Sequence, residues 1–228
     1  VACAEQNGKL VVLKFGANEK TIYDEYQALK HFNGLGMIDV LDYYQPLNAL
    51  LLARAVPGTM LKEEHHHVIE AYAEVVKKLN SNHPIKHPFL HFKNWCQVID
   101  EMNDTRIPAE YILKAKGIRQ WLLDSMCHEY LCHGDLHLEN ILKHDDEWVA
   151  IDPKGIIGEM AFEAAACDLI FENITTGIHQ LAKALDIDEK RLIAWIFLRI
   201  MLSVQWFIED NGNPDRMLKM ADIIYPRL

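Results

Sequence analysis

Leu131-Cys132-His133-Gly134-Asp135-Leu136-His137-Leu138-Glu139-Asn140-Ile141-Leu142, with Val149-Ala150-Ile151-Asp152-Pro153-Lys154-Gly155 a short turn later, is the densest run of polar groups in an apolar setting in this 228-residue chain. The segments Asn140 to Lys143 and Trp148 to Asp152 read as a hairpin joined through His144-Asp145-Asp146-Glu147. Antiparallel pairing across a four-residue turn sets Lys143 opposite Trp148 and Asn140 opposite Ile151. Asn140 and Asp152 then emerge side by side at one end of the ribbon. An amide oxygen beside a carboxylate is a hard-oxygen pair suited to Mg²⁺, which takes few protein ligands and completes its shell with water and phosphate. Asp135 lies on the loop entering that end, placed to act as a base beside a metal–phosphate complex.

The first 57 residues have a different texture. Val1 to Gln6 and Lys9 to Phe15 flank Asn7-Gly8, a strong hairpin signal. A helix is expected over Thr21 to Phe32 and a strand over Ala49 to Ala53, with a break at Pro57-Gly58. On that helix Ile22, Glu25, Leu29 and Phe32 share one stripe. A carboxylate inside an apolar stripe wants a cation, and Lys14, at the end of the strand Val11-Val12-Leu13-Lys14, is the nearest candidate; a solvated Glu25 is the alternative.

Beyond Pro57 the pattern is mostly helical. Val68, Tyr72, Val75 and Leu79 repeat at helical spacing, as do Ile118, Trp121, Leu122 and Met126. Leu192 to Ile208 is a nearly unbroken apolar run, but it carries Arg199 and Gln205 and falls short of a bilayer's roughly 20 residues. It reads as a buried central helix capped by Asp188, in which Arg199 needs an acidic partner. Pro214 opens the last helix after an Asn211-Gly212 turn.

Composition narrows the function classes. Half the residues are hydrophobic and a quarter charged, as in an ordinary globular chain. The net charge of −10 argues against a nucleic-acid or anionic-membrane binder and is compatible with a cationic partner. Five cysteines without a C-x-x-C pair point away from a disulfide framework and toward the cytoplasm. His65-His66-His67 reads as a solvated first helical turn. A zinc site from His133, His137, Cys127 and Cys132 is the rival reading of the central loop, disfavoured because His133 and His137 span a glycine and lead into a strand.

The pieces together resemble the protein-kinase-like phosphotransferases. H-G-D-x-x-x-x-N followed by Ile151-Asp152 matches their catalytic loop and metal-binding Asp, and Lys14 with Glu25 resembles their strand-lysine and helix-glutamate pair. HGDLHLENIL with AIDPKG, then Gly158-Glu159-Met160-Ala161-Phe162-Glu163, is most similar to the aminoglycoside phosphotransferase superfamily, near its streptomycin 6-kinase/hydroxyurea phosphotransferase group. The resemblance implies ATP and Mg²⁺ as cofactors. It implies that Asp135 orients or deprotonates the acceptor hydroxyl, that Asn140 and Asp152 hold Mg²⁺, and that Lys14, steadied by Glu25, meets the nucleotide phosphates. Leu51-Leu52-Ala53-Arg54-Ala55-Val56-Pro57-Gly58 resembles the family's hinge, which puts Arg54, Ala55 and Val56 at the adenine. His133 and Glu163 are implied as supports of the catalytic loop. Lys154, Glu159 and Glu163 are the candidates for the acceptor side, the two glutamates as an acidic wall for a cationic, hydroxyl-rich small molecule.

The expected architecture is therefore α+β and two-lobed: residues 1–57 a small nucleotide-binding sheet lobe, residues 58–228 a larger helical lobe with the catalytic loop and substrate site. The resemblance also places a glycine-rich phosphate loop ahead of the first hairpin, upstream of Val1. The expectation is thus a truncated sheet lobe, weak in ATP binding and in turnover. The expected function is γ-phosphoryl transfer to a small-molecule hydroxyl, on an aminoglycoside such as streptomycin or on hydroxyurea. A kinase-shaped nucleotide-binding protein without transfer and a kinase for a metabolite alcohol are the alternatives.

Overall fold

The computed structural model describes residues 1–16, 18–80, 84–168 and 174–228. The Asn7-Gly8 hairpin forms as the spacing predicts. Strands β1 (Ala2–Gln6) and β2 (Lys9–Phe15) pair antiparallel with Gln6 opposite Lys9, and Asn7 and Gly8 both adopt positive φ. Helix α1 (Glu19–Phe32) starts two residues before Thr21 because the Asn18 side chain caps it, accepting the N–H groups of Lys20 and Thr21. Strands β3 (Val40–Tyr44) and β4 (Ala49–Ala53) complete a four-stranded sheet of order β1-β2-β4-β3. Ile22, Glu25, Leu29 and Phe32 are all buried on α1.

The Pro57-Gly58 break falls on β5 (Pro57–Met60), which pairs with the central hairpin of the second lobe, β8 (Ile141–His144) and β9 (Glu147–Ala150). A third sheet joins β6 (Leu90–His91), β7 (Tyr130–Cys132) and β10 (Ile156–Gly158) in the order β6-β10-β7. The second lobe is thus less purely helical than its periodicity suggested. Two- to four-residue strands are too short to show a period of two, and only their tertiary partners define them.

Around these sheets pack α2 (Val68–Leu79), α3 (Phe92–Trp95), α4 (Val98–Glu101), α5 (Ala109–Asp124), α6 (Met160–Ala164), α7 (Ile174–Leu185), α8 (Glu189–Glu209) and α9 (Asp215–Ile224). On α2 the whole predicted stripe is buried. On α5 Ile118 and Leu122 are buried, whereas Trp121 is exposed and Met126 lies past the helix end. Asp188 caps α8 by accepting the Arg191 N–H, and Pro214 precedes α9. The apolar run of α8 is buried from Leu192 to Leu198 against helices of the same lobe, and each large side chain so covered contributes about 1.5–3 kcal/mol. This helix is long and apolar enough to cross a membrane by composition, yet it is the core helix of the lobe.

Candidate active site

The hairpin carries the site. Its register sets Lys143 opposite Trp148 and Ile141 opposite Ala150, and the Ile151 N–H donates to the Asn140 C=O at 2.9 Å. The expected juxtaposition of Asn140 and Asp152 is therefore present. The turn is tighter than the four residues expected, because His144 pairs with Glu147 and only Asp145 and Asp146 remain, with Asp145 at positive φ. Asp152 itself sits at φ +61°, a left-handed backbone that turns the chain sharply out of the strand.

Lys14 and Glu25 meet as predicted, with Lys14 Nζ 2.7–2.8 Å from the Glu25 carboxylate oxygens. The lysine also donates to Asp152, so it joins the two lobes, and Lys154 Nζ approaches the other Asp152 oxygen at 3.4 Å. Burial alone would lower the Lys14 pKa, but hydrogen bonds and charges from Asp152 and Glu25 outweigh it and raise the pKa above its ordinary value. Burial alone would raise the Asp152 carboxyl, and Lys14 outweighs that in turn, holding it below the usual range.

Lys14, Glu25 and Asp152 border a cavity of about 380 Å³ that also reaches Asn140, Ile151, Leu52 and the segment after β4. Of the expected hinge residues, Arg54 and Ala55 line it. Among the described residues the Ala55 N–H and C=O have no backbone hydrogen-bond partner, so a donor and an acceptor at the cavity wall are left without one. Val56 does not fit the hinge expectation. Its N–H donates to His144 Nδ1 and its C=O accepts the Asp145 N–H at 2.8 Å, so the hairpin turn has taken both groups.

The catalytic-loop segment is held from several directions. The buried Glu163 carboxylate accepts the N–H groups of His133 and Gly134. Burial pushes the Glu163 carboxyl up to about 7, against the opposing charge of Arg199. His133 Nε2 donates to the Ile151 C=O at 2.7 Å, and its Nδ1 accepts the Asp135 N–H at 3.2 Å. Burial drives the imidazole down to about 4, so it is neutral. Both ring nitrogens being engaged, His133 is closed to a zinc ion. Gly134 has φ +89°, and a Cβ there would stand 2.8 Å from Ile156 Cγ1, so the loop requires glycine at this point. Asn140 Nδ2 donates to the Asp135 C=O at 2.9 Å, fixing the amide so that its oxygen points away from that bond.

Two further supports escaped the sequence reading. Tyr72, legible only as one member of an apolar stripe, places its hydroxyl 2.9 Å from the Leu136 C=O and 3.2 Å from the Glu163 C=O. Among the described residues Arg199 has no carboxylate within ion-pair distance, where an acidic partner was expected. Its guanidinium lies 5.0 Å over the Phe162 ring and donates to the Gly134 C=O at 3.3–3.4 Å, with Glu163 near enough to be influenced by its charge.

The acidic wall expected from Glu159 and Glu163 does not form. Glu163 is fully buried beneath the loop it supports. Glu159 is 8% exposed and receives Arg191 at 2.7 and 2.9 Å together with the Trp195 indole N–H. A carboxylate with that many internal donors serves the lobe rather than a ligand. His65, His66 and His67 are exposed at the start of α2.

A sheet lobe over a helical lobe, with a lysine–glutamate pair at their junction and an Asp/Asn-bearing loop beneath, defines a kinase-like phosphotransferase acting on hydroxyl groups of small molecules. The chain belongs to the aminoglycoside/hydroxyurea antibiotic resistance kinase family, whose model matches residues 1–211. It is 26% identical to the streptomycin 3''-kinase of Klebsiella pneumoniae over 211 residues, covering 82% of this chain and 76% of that protein. It is 24% identical to the hydroxyurea phosphotransferase of Kitasatospora aureofaciens over 240 residues, covering 97% and 69%. A thermostable mutant of aminoglycoside phosphotransferase APH(4)-Ia, crystallised with ADP and hygromycin B, superposes with a TM-score of 0.73 at 15% identity, over 97% of this chain and 88% of that one.

Proposed function

We propose that this protein transfers the γ-phosphoryl group of ATP to a hydroxyl of an aminoglycoside or of hydroxyurea, and that it does so in the cytoplasm. The observation that carries the reading is convergence. Lys14 from β2, Glu25 from α1, Asn140 and Asp152 from the two sides of the hairpin, and Ala55 from the segment after β4 all border one cavity. The ADP bound to the superposed phosphotransferase is consistent with that cavity holding a nucleotide.

The donor set suits Mg²⁺. The Asp152 carboxylate is held ionised by Lys14, and the Asn140 amide is turned by its Nδ2 bond to Asp135, so two hard oxygens are available. Asn140 and Asp152 would hold the cation, which when bound neutralises phosphate charge. Lys14, kept protonated by its two carboxylates, binds the nucleotide phosphates, and Ala55 reads the adenine edge.

Asp135 accepts the acceptor's hydroxyl proton as the new O–P bond forms and the bond to the β–γ bridging oxygen breaks, releasing ADP. Catalysis of this kind is largely positioning and charge stabilisation. The clamp on residues 133–135 by Glu163, His133 and Arg199 fits that demand.

ATP consumption against streptomycin, other aminoglycosides and hydroxyurea tests the assignment. Asp135→Asn should leave the fold and ATP affinity intact and lower turnover by about 10²–10⁴-fold. A loss below about tenfold removes Asp135 from the mechanism.

A further inference from the structure

Lys154 is anchored to the segment that carries Asp135. Its N–H donates to the His133 C=O at 2.7 Å, and the Gly155 N–H meets the same oxygen at 3.2 Å. A Cβ on Gly134 would stand 3.4 Å from the Lys154 Cβ. Gly155, at φ +68°, is hemmed in on its other side, where a Cβ would stand 3.0–3.1 Å from Phe89 and Ala28. The stem of Lys154 is therefore fixed against the catalytic loop, while its side chain stays 41% exposed.

The tip of the side chain faces the nucleotide. Lys154 Nζ lies 3.4 Å from one Asp152 oxygen, and Lys14 holds the other. The two ammoniums flank the same carboxylate, but they are not equivalent. Lys14 keeps Glu25 at 2.7–2.8 Å when Asp152 turns to a cation. Lys154 has no second carboxylate within ion-pair distance among the described residues. Its charge is then uncompensated beside a divalent ion, a position that favours an incoming anion. The nucleotide cavity and a second one, of about 530 Å³ among α1, residues 152–156 and α3, have Lys14, Glu25 and Asp152 in common, and Lys154 borders the second. A nucleotide with its base by Ala55 and its phosphates on Lys14 directs its terminal phosphoryl group at that shared border, beside Lys154 Nζ.

We propose that Lys154 binds the γ-phosphoryl group of ATP and stabilises its charge during transfer. The inference rests on the phosphotransferase reading above. The acceptor oxygen bonds to the γ phosphorus, the bond to the β–γ bridging oxygen breaks, and the hydroxyl proton goes to Asp135. Lys154 keeps its own protons and acts as a fixed charge on the equatorial oxygens. A lysine that only shielded Asp152 would not distinguish a third phosphate from two. Calorimetric titration of the full chain with Mg·AMP-PNP and with Mg·ADP separates these roles without requiring turnover, because the first ligand carries the terminal phosphoryl group and the second lacks it. Lys154→Met should weaken AMP-PNP about tenfold and ADP by no more than about twofold, and Lys154→Arg should stay within about threefold of wild type for both. Should the Met variant fail to fold, Lys154→Gln puts the same question with a polar side chain and should show the same selective loss. Equal weakening of the two ligands, wild-type affinity for AMP-PNP without the lysine, or a loss in the Arg variant as large as in the uncharged ones overturns the proposal and leaves the phosphotransferase reading intact. Failure of the wild-type chain to bind either nucleotide removes that reading, and this inference with it.

Discussion

Replacing Arg199 by Met removes a cation from the centre of the helical lobe while keeping a long apolar side chain on α8. Two interactions disappear. The guanidinium lies 5.0 Å over the Phe162 ring, an interaction worth about 0.5–2 kcal/mol. Its bonds to the Gly134 C=O are 3.3–3.4 Å long, so they belong at the low end of the roughly 1.5–3 kcal/mol of a charged hydrogen bond. Together they amount to about 2–4 kcal/mol, and at roughly 2–4 °C per kcal/mol for a domain of this size the melting temperature should fall by about 5–15 °C.

Glu163 gives the loss a pH signature. Its carboxyl is raised by burial to about 7 in the folded protein, and Arg199 is the charge that restrains the rise. A raised folded value contributes stability that is full below the unfolded value near 4.5 and is lost as pH climbs through about 7. Without Arg199 the folded value rises further and the loss continues to higher pH. The melting deficit of the variant should therefore be larger at about pH 8.5 than at about pH 6. Because Gly134 precedes Asp135, kcat should fall while the KM for ATP holds, and Arg199→Lys should recover part of the loss. Scanning calorimetry at the two pH values with steady-state kinetics decides the matter. Equal melting deficits at both pH values, or an unchanged kcat, would refute the account of Arg199 as the counter-charge and loop anchor.

Asp152→Ala should weaken Mg·ATP far more than metal-free ATP, as measured by titration with and without a chelator; equal weakening would leave Asp152 as no more than a partner of Lys14. Glu159→Gln leaves Arg191 and Trp195 one acceptor oxygen but sets an NH2 against the guanidinium and removes its counter-charge, and should cost about 3 kcal/mol of stability, read by thermal melting. The same variant should leave the acceptor KM within about twofold, and a large change in KM with an intact melt would return Glu159 to the acceptor site.

Much of this site was legible in the sequence because it is local. The spacing of Asn140 and Asp152 across a hairpin follows from the period of a strand, and the pairing of Lys143 with Trp148 fixes the end from which both emerge. Glu25 on the apolar stripe of α1 announces a buried carboxylate, and a strand ending in Lys14 supplies its cation. Each inference needs only backbone geometry over a few residues and the cost of burying an unpaired charge.

Tertiary structure decided the rest. Glu159 and Glu163 follow the hairpin as closely as any acceptor-side residue could, and nothing in their spacing tells a ligand wall from an internal support. That difference is set by Arg191, Trp195 and the amides of His133 and Gly134, from other parts of the chain. The same holds for Val56, whose peptide groups went to a turn at residues 144–145. It holds also for Arg199, which settled on a ring and a carbonyl where a carboxylate was expected. Sequence determines which groups must find partners, because desolvation is a property of the group itself. Which partner each finds depends on which distant segments the packed core brings within about 3 Å, the reach of a hydrogen bond.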